Sequence, residues 1–219
     1  MSFVPYHVWI GDRASQKVAF VLHGILGSGS NFRSLIKRLS ELRPDYCFVL
    51  VDLRLHGRSS SAPAPHTLGA CAADLAALAT EIGRDATAVI GHSFGGKVAL
   101  CYAKGRPVGL AQTWVLDAYP GAHAPGSQHE VQRVIEALGR VPAEVDARET
   151  FVEGLLEQGL SSGIAQWLSQ NLMRHAGRYR LRLDLAAVRD LLADYFQQDL
   201  WSVIQDPAPG QDVCLVIAE

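Results

Sequence analysis

The residues best suited to chemistry are Gly91-His92-Ser93-Phe94-Gly95-Gly96. They stand between an apolar run, Ala86 to Ile90, and an apolar-periodic stretch that begins at Phe94. A serine at the tip of a sharp strand-to-helix turn exposes its hydroxyl as a nucleophile, and the helix N-terminus below it favours developing negative charge. Such a turn leaves no room for side chains two positions either side of the nucleophile, which accounts for Gly91 and Gly95. The chemistry implied is acyl transfer through a covalent acyl-serine.

Acyl transfer also needs donors for the oxyanion of the tetrahedral intermediate. His23-Gly24-Ile25-Leu26-Gly27 directly follows the apolar run Val18 to Leu22. The expected donors are the N–H of Phe94, after the nucleophile, and that of Ile25 in the loop after the earlier strand. His23 precedes the serine, whereas the order in this type of site is serine, acid, histidine, so His23 reads as a loop brace. Gly24, Gly91, His92 and Gly95 are expected to support the elbow and the loop. Asp117, at the end of the run Leu110 to Leu116, could orient a histidine; by spacing alone it could equally be a turn aspartate. Asp52-Leu53-Arg54-Leu55-His56-Gly57-Arg58-Ser59 reads as a structural loop held by Asp52 and Arg54. There is no HExxH, no metal-spaced His/Cys cluster and no P-loop, so neither metal nor organic cofactor is expected.

The elements that must position these groups alternate. Val18 to Leu22, Tyr46 to Val51, Ala86 to Ile90 and Leu110 to Leu116 read as buried strands. Helical spacing lies between them. Phe32, Leu35, Ile36, Leu39 and Leu42 form one stripe, with Ser30 as expected cap; Leu68, Cys71, Leu75, Leu78 and Ile82 form another, capped by Thr67. Phe94 to Lys104 is a third helix, stopped by Gly105 and Pro107. This alternation predicts parallel βαβ units in an α/β fold, with Tyr6 to Ile10 as an antiparallel edge strand. From Pro120 to about Asp206 the pattern is helical and contains no expected strand. Residues 1–119 are therefore read as the first part of the core, 120–206 as a helical cap, and 207–219 as a return strand, Val213 to Ala218.

Composition bounds the rest. The 219 residues suit one domain with an insertion, and 48% hydrophobic against 19% charged residues is a globular balance. The net charge of -2 argues against nucleic acid and anionic membranes as partners. The basic cluster from Arg174 to Arg182 reads as a solvated stretch. Cys47, Cys71, Cys101 and Cys214 lie apart in apolar runs, as free thiols in a reducing compartment do. No signal peptide or membrane-length apolar stretch is visible, so a cytoplasmic protein is the expectation.

Together these strings resemble the α/β-hydrolase superfamily along the whole chain. More narrowly they resemble the YbfF-like, ABHD-type acyl esterases. The shared strings are His-Gly-x-x-Gly-Ser at 23–28, Asp-x-Arg-x-His-Gly-x-Ser at 52–59, Gly-His-Ser-x-Gly-Gly-Lys at 91–97 and Asp-x-x-Pro at 117–120. The resemblance implies a small helical cap and hydrolysis of an acyl ester or thioester, with Trp167, Leu168 and Tyr195 in the cap. It also implies that Asp117 is the acid, with Glu219 the weaker candidate. The family's histidine follows a last strand, and no histidine follows Val213 to Ala218 here. The favoured expectation is a chain lacking that strand, its helix and the base; the competing one has His123 or His175 reach Ser93. Other readings are a menaquinone-pathway-type lyase, a cofactor-free perhydrolase, or a non-catalytic binding module.

Overall fold

A computed structural model describes residues 3–123 and 129–218. The first half builds the sheet: β1 (His7–Ile10), β2 (Lys17–Leu22), α1 (Arg33–Leu42), β3 (Tyr46–Val51), α2 (Leu68–Ile82), β4 (Ala88–His92), α3 (Phe94–Lys104) and β5 (Gln112–Leu116). A long segment follows, with α4 (His129–Arg140), β6 (Glu144–Val145), α5 (Arg148–Glu157), α6 (Ser162–Leu168), β7 (Leu172–His175), β8 (Arg178–Leu181), α7 (Leu185–Gln197) and α8 (Trp201–Gln205). The strand β9 (Asp212–Val216) then returns to the sheet. The large sheet runs β1-β3-β2-β4-β5-β9. All of its pairings are parallel except β1 with β3, so this is the mostly parallel α/β-hydrolase architecture with flanking helices.

The strands are apolar at consecutive positions because both faces are covered, as parallel sheets require. On one face Phe20, Leu22, Val49, Val89 and Val115 pack with Leu75 and Leu78 of α2 and Val98 of α3. On the other, Ala19, Val21, Phe48 and Leu50 pack on Ile36 of α1. That second face is less fully covered beyond β2. Ile90, Trp114 and Leu116 line a groove of about 480 Å³ with Leu35, Leu39 and Leu42 of α1. Among the described residues β9 pairs only with β5.

Two expectations need correction. The segment after Pro120 is not wholly helical: β6, β8 and β7 form a three-stranded antiparallel sheet. The turn between β7 and β8 is the two residues Ala176 and Gly177, both with positive φ (49° and 84°), a hairpin geometry that glycine favours. Ser30 does not cap α1. A short 3-10 turn, Gly29–Phe32, precedes that helix, and the extended residue before it is Ser28, whose N–H donates to Asn31 Oδ1 at 2.7 Å. Thr67 caps α2 through its hydroxyl, which accepts from the Ala70 N–H at 3.1 Å. The basic cluster lies on the exposed hairpin, where Arg178 meets Asp146 at 2.7 Å and Arg180 meets Glu144 at 3.4 Å. All four cysteines are free; Cys47 and Cys71 are buried and Cys101 and Cys214 partly so. Among the described residues, no helix is long and apolar enough to cross a membrane.

Candidate active site

Ser93 follows β4 directly and starts α3, with φ 50° and ψ −116°. That is strained backbone for any side-chain-bearing residue. Its N–H donates to Leu116 O (2.8 Å) and its carbonyl accepts from the Gly96 N–H (2.9 Å), which holds the turn shut. The flanking glycines are steric necessities. A Cβ on Gly91 would lie 2.0 Å from Gly95 O and 2.4 Å from Gly95 C; one on Gly95 would lie 2.6 Å from His23 O. The elbow and the loop after β2 are thus packed backbone to backbone.

In that loop a Cβ on Gly24 would sit 3.5 Å from the Ser93 Cβ, so residues 24 and 93 are immediate neighbours. The Leu26 N–H donates to His56 Nε2 at 2.9 Å, and the Gly27 N–H donates to Gly24 O at 3.1 Å. The Ile25 N–H has no acceptor among the described residues, and Phe94 is the first residue of α3, where an N–H has no intrahelical partner. These two donors are unspent beside Ser93. His92 flanks the same loop: its Nδ1 would lie 3.2 Å from a Gly24 Cβ, and its ring meets Phe32 edge-on at 6.0 Å.

Two histidines fix the loop. His23 Nε2 accepts from the Leu53 N–H (3.0 Å), so its proton is on Nδ1, which donates to Gly24 O (2.7 Å). His56 is built alike, with Nδ1 donating to Arg54 O at 2.8 Å. Their rings lie 5.1 Å apart. Burial lowers the pKa of His23 to about 4 and that of His56 to about 3, so both are neutral braces. Asp52 accepts from the Gly29 N–H and the Arg58 N–H, both at 2.8 Å. Arg54 makes a buried bidentate pair with Asp74, 2.8 Å on each arm.

Asp117 follows β5 as Ser93 follows β4, and the register pairs His92 with Leu116, so the two residues leave neighbouring strands side by side. Asp117 is exposed, and its N–H donates to Val216 O at 2.7 Å. A non-glycine residue with positive φ follows each of four parallel strands: Leu26 (62°), Leu55 (66°), Ser93 (50°) and Asp117 (51°). Glu219 lies outside the described residues. His175 is exposed beside the hairpin turn. His123 sits among Tyr119, Tyr195 and Phe196, and its buried Nε2 has no partner among the described residues. Burial lowers its pKa, and the nearby Lys97 charge adds to this. No histidine among the described residues is hydrogen-bonded to Ser93.

A cavity of about 350 Å³ opens beside Ile25 and Leu26, walled by Val131, Val134, Trp167 and Phe196. Of the apolar residues expected in the cap, Trp167 faces this space, whereas Leu168 and Tyr195 are packed in the core, as is expected of most of them. Two contributors escaped the sequence reading. Asn171 donates to Leu26 O at 2.9 Å from the segment after β5, and Lys97 is wholly buried. Lys97 closes the Gly-His-Ser-x-Gly-Gly-Lys string at 91–97, which marks its position but not its burial, and no sequence signal marks Asn171.

The chain matches the model of the alpha/beta hydrolase fold over residues 20–108. It is 32% identical over 200 residues to the mouse (Mus musculus) protein named sn-1-specific diacylglycerol lipase ABHD11, covering 89% of this chain and 62% of the relative. It is 36% identical over 132 residues to lipase LipV of Mycobacterium tuberculosis, covering 60% and 47%. A marine microorganism esterase superposes with a TM-score of 0.83 at 21% identity, over 99% of this chain and 92% of that one. The chain spans about three fifths of the length of the ABHD11 relatives it matches. By its sheet order, its elbow and this superposition, the chain has the α/β-hydrolase fold, and the relatives it resembles include proteins of the ABHD type.

Proposed function

We propose that the chain is a hydrolase of carboxylic esters or thioesters, acting through an acyl-serine on Ser93. The observation that carries this is the strained Ser93 turn with two unspent N–H groups, from Ile25 and Phe94, beside it. Ser93 Oγ attacks the acyl carbonyl, and its proton must pass to a general base, the imidazole that Asp117 is proposed to orient and that no described histidine supplies within hydrogen-bond reach of Ser93. The two N–H groups hold the oxyanion. The imidazolium protonates the departing alcohol or thiol, and water then adds to the acyl-serine and releases the acid. No step requires a metal or organic cofactor. The relatives named as lipases, and the apolar cavity beside Ile25, support an acyl substrate.

Fluorophosphonate labelling followed by peptide mapping tests the reading. Wild type should be labelled at Ser93 and should hydrolyse p-nitrophenyl esters, and Ser93→Ala should lose both. A folded wild-type chain that stays unlabelled where an ordinary esterase reacts would favour a binding module, since no histidine described here is bonded to Ser93.

A further inference from the structure

Lys97 lies one helical turn past Ser93 and is 0% exposed. A buried ammonium is costly unless each proton finds an acceptor. Here all three do, and all three acceptors are backbone carbonyls: Gly121 O at 2.7 Å, Tyr195 O at 2.8 Å and Gln198 O at 2.9 Å. Their positions are informative. Gly121 is where the chain leaves β5 for the long segment; Tyr195 and Gln198 are where it comes back at the end of α7. Two further bonds knit the same neck, His123 N–H to Phe196 O (2.9 Å) and Leu200 N–H to Pro120 O (3.0 Å). The Nζ also lies 4.6 Å from the Tyr195 ring centroid, and that ring is 5.5 Å from the ring of Phe94.

We propose that Lys97 is a positioning residue: it ties both strands of the neck to the nucleophile helix and so sets how the segment carrying Val131, Trp167 and Phe196 sits over Ser93. This rests on the hydrolase reading for its effect on catalysis, but not for its effect on the neck. An apolar side chain of equal length would fill the space and leave three carbonyls without donors. The acyl cavity lies between the core loop (Ile25, Leu26) and this segment, so its width follows the neck. The groups facing the ammonium are Cys101 on α3, Asp194 on α7 and Asp199 after it, with His123 and Tyr195 at the neck. Burial outweighs the two aspartates and lowers the Lys97 pKa to about 8. Above that pH the amine keeps two protons for three carbonyls.

The test compares wild type and Lys97→Met by amide hydrogen exchange and by kinetics on short and long p-nitrophenyl esters. Peptides spanning 119–123 and 195–200 should lose protection by about tenfold or more, the loss expected for a charge-assisted hydrogen bond, while β2 and β4 keep theirs. KM for the long ester should rise about tenfold relative to the acetate ester, with kcat changing less. Equal loss of protection in β2 and β4, or equal shifts in KM for both esters, overturns the proposal. If the variant does not fold, wild type decides between pH 7 and 9.5. After correction for the chemical exchange rate, neck protection should fall selectively across pH 8, and a fall shared by the whole sheet, or none, refutes the clamp. Absence of any ester hydrolysis by wild type would sink the hydrolase reading and leave the exchange measurements to judge Lys97.

Discussion

Gly91→Ala puts one methyl group where the elbow has no space. The new Cβ would sit 2.0 Å from Gly95 O, 2.4 Å from Gly95 C and 2.7 Å from Gly96 N, all backbone atoms that no rotamer change can move. Ordinary contact begins at 3.4 Å, so the first turn of α3 must shift by about 1.4 Å against β4, at an overpacking cost of about 1–3 kcal/mol. That turn carries Ser93 and the Phe94 N–H. Misplacement by about 1 Å costs on the order of 100-fold in rate, so fluorophosphonate labelling should slow by about that factor while the chain stays folded. Gly83→Ala is the control. Gly83 ends α2 with φ 66°, and a Cβ there meets nothing within 4 Å, so only the left-handed backbone is penalised, by about 1–2 kcal/mol. Its labelling rate should match wild type. Urea midpoints and labelling rates for the two variants decide the matter. If folded Gly91→Ala labels within threefold of wild type, or Gly83→Ala slows labelling equally, the steric account of the elbow is wrong.

Asp74→Ala leaves the buried Arg54 guanidinium without its carboxylate and should cost about 3–5 kcal/mol by urea denaturation; Arg54→Met with Asp74→Leu should recover most of it. Stability should also be sensitive to acid. His23 has a folded pKa of about 4, below its ordinary 6.5, so the unfolded chain binds the proton more tightly. The stability is therefore fully present above pH 6.5 and is lost as pH falls towards 4, by on the order of 3 kcal/mol for His23, with His56 acting in the same sense. Equal urea midpoints at pH 7 and pH 5 would contradict the neutral-brace assignment.

Much of this architecture is legible in the sequence because its parts are buried on both sides. Tyr46–Val51 and Phe94–Lys104 fall where apolar runs and periodicity place them, and the elbow glycines announce a turn that no other residue fits. What escapes is what depends on partners distant in the chain. The strands β7 and β8 are four residues each: β7, Leu-Met-Arg-His, has neither alternation nor an apolar run, and the Arg-Tyr-Arg-Leu alternation of β8 is too short to stand out from its basic surroundings. Lysine is rarely fully buried, and the carbonyls that bury Lys97 lie 24, 98 and 101 residues away. The brace role of His23 is legible from chain order, but its neutrality follows from a pocket built by Leu53, Gly24 and His56.

The four positive-φ residues at the ends of the parallel strands have a consequence for how this molecule could be altered. Leu26, Leu55, Ser93 and Asp117 each hold a backbone conformation that costs about 1 kcal/mol or more, together several kcal/mol against a typical net stability of about 5–15 kcal/mol. The strain is concentrated at one rim of the sheet and is borne by the packed layers beneath. At buried Leu26 and Leu55, glycine would relieve it only by emptying the core. At exposed Asp117, glycine would relieve it at no loss of packing. Thermal robustness and the carboxylate at Asp117 are therefore in direct competition at that position, and a stability-guided redesign that ignores chemistry would be drawn to remove the group that the proposed mechanism assigns to orienting the base.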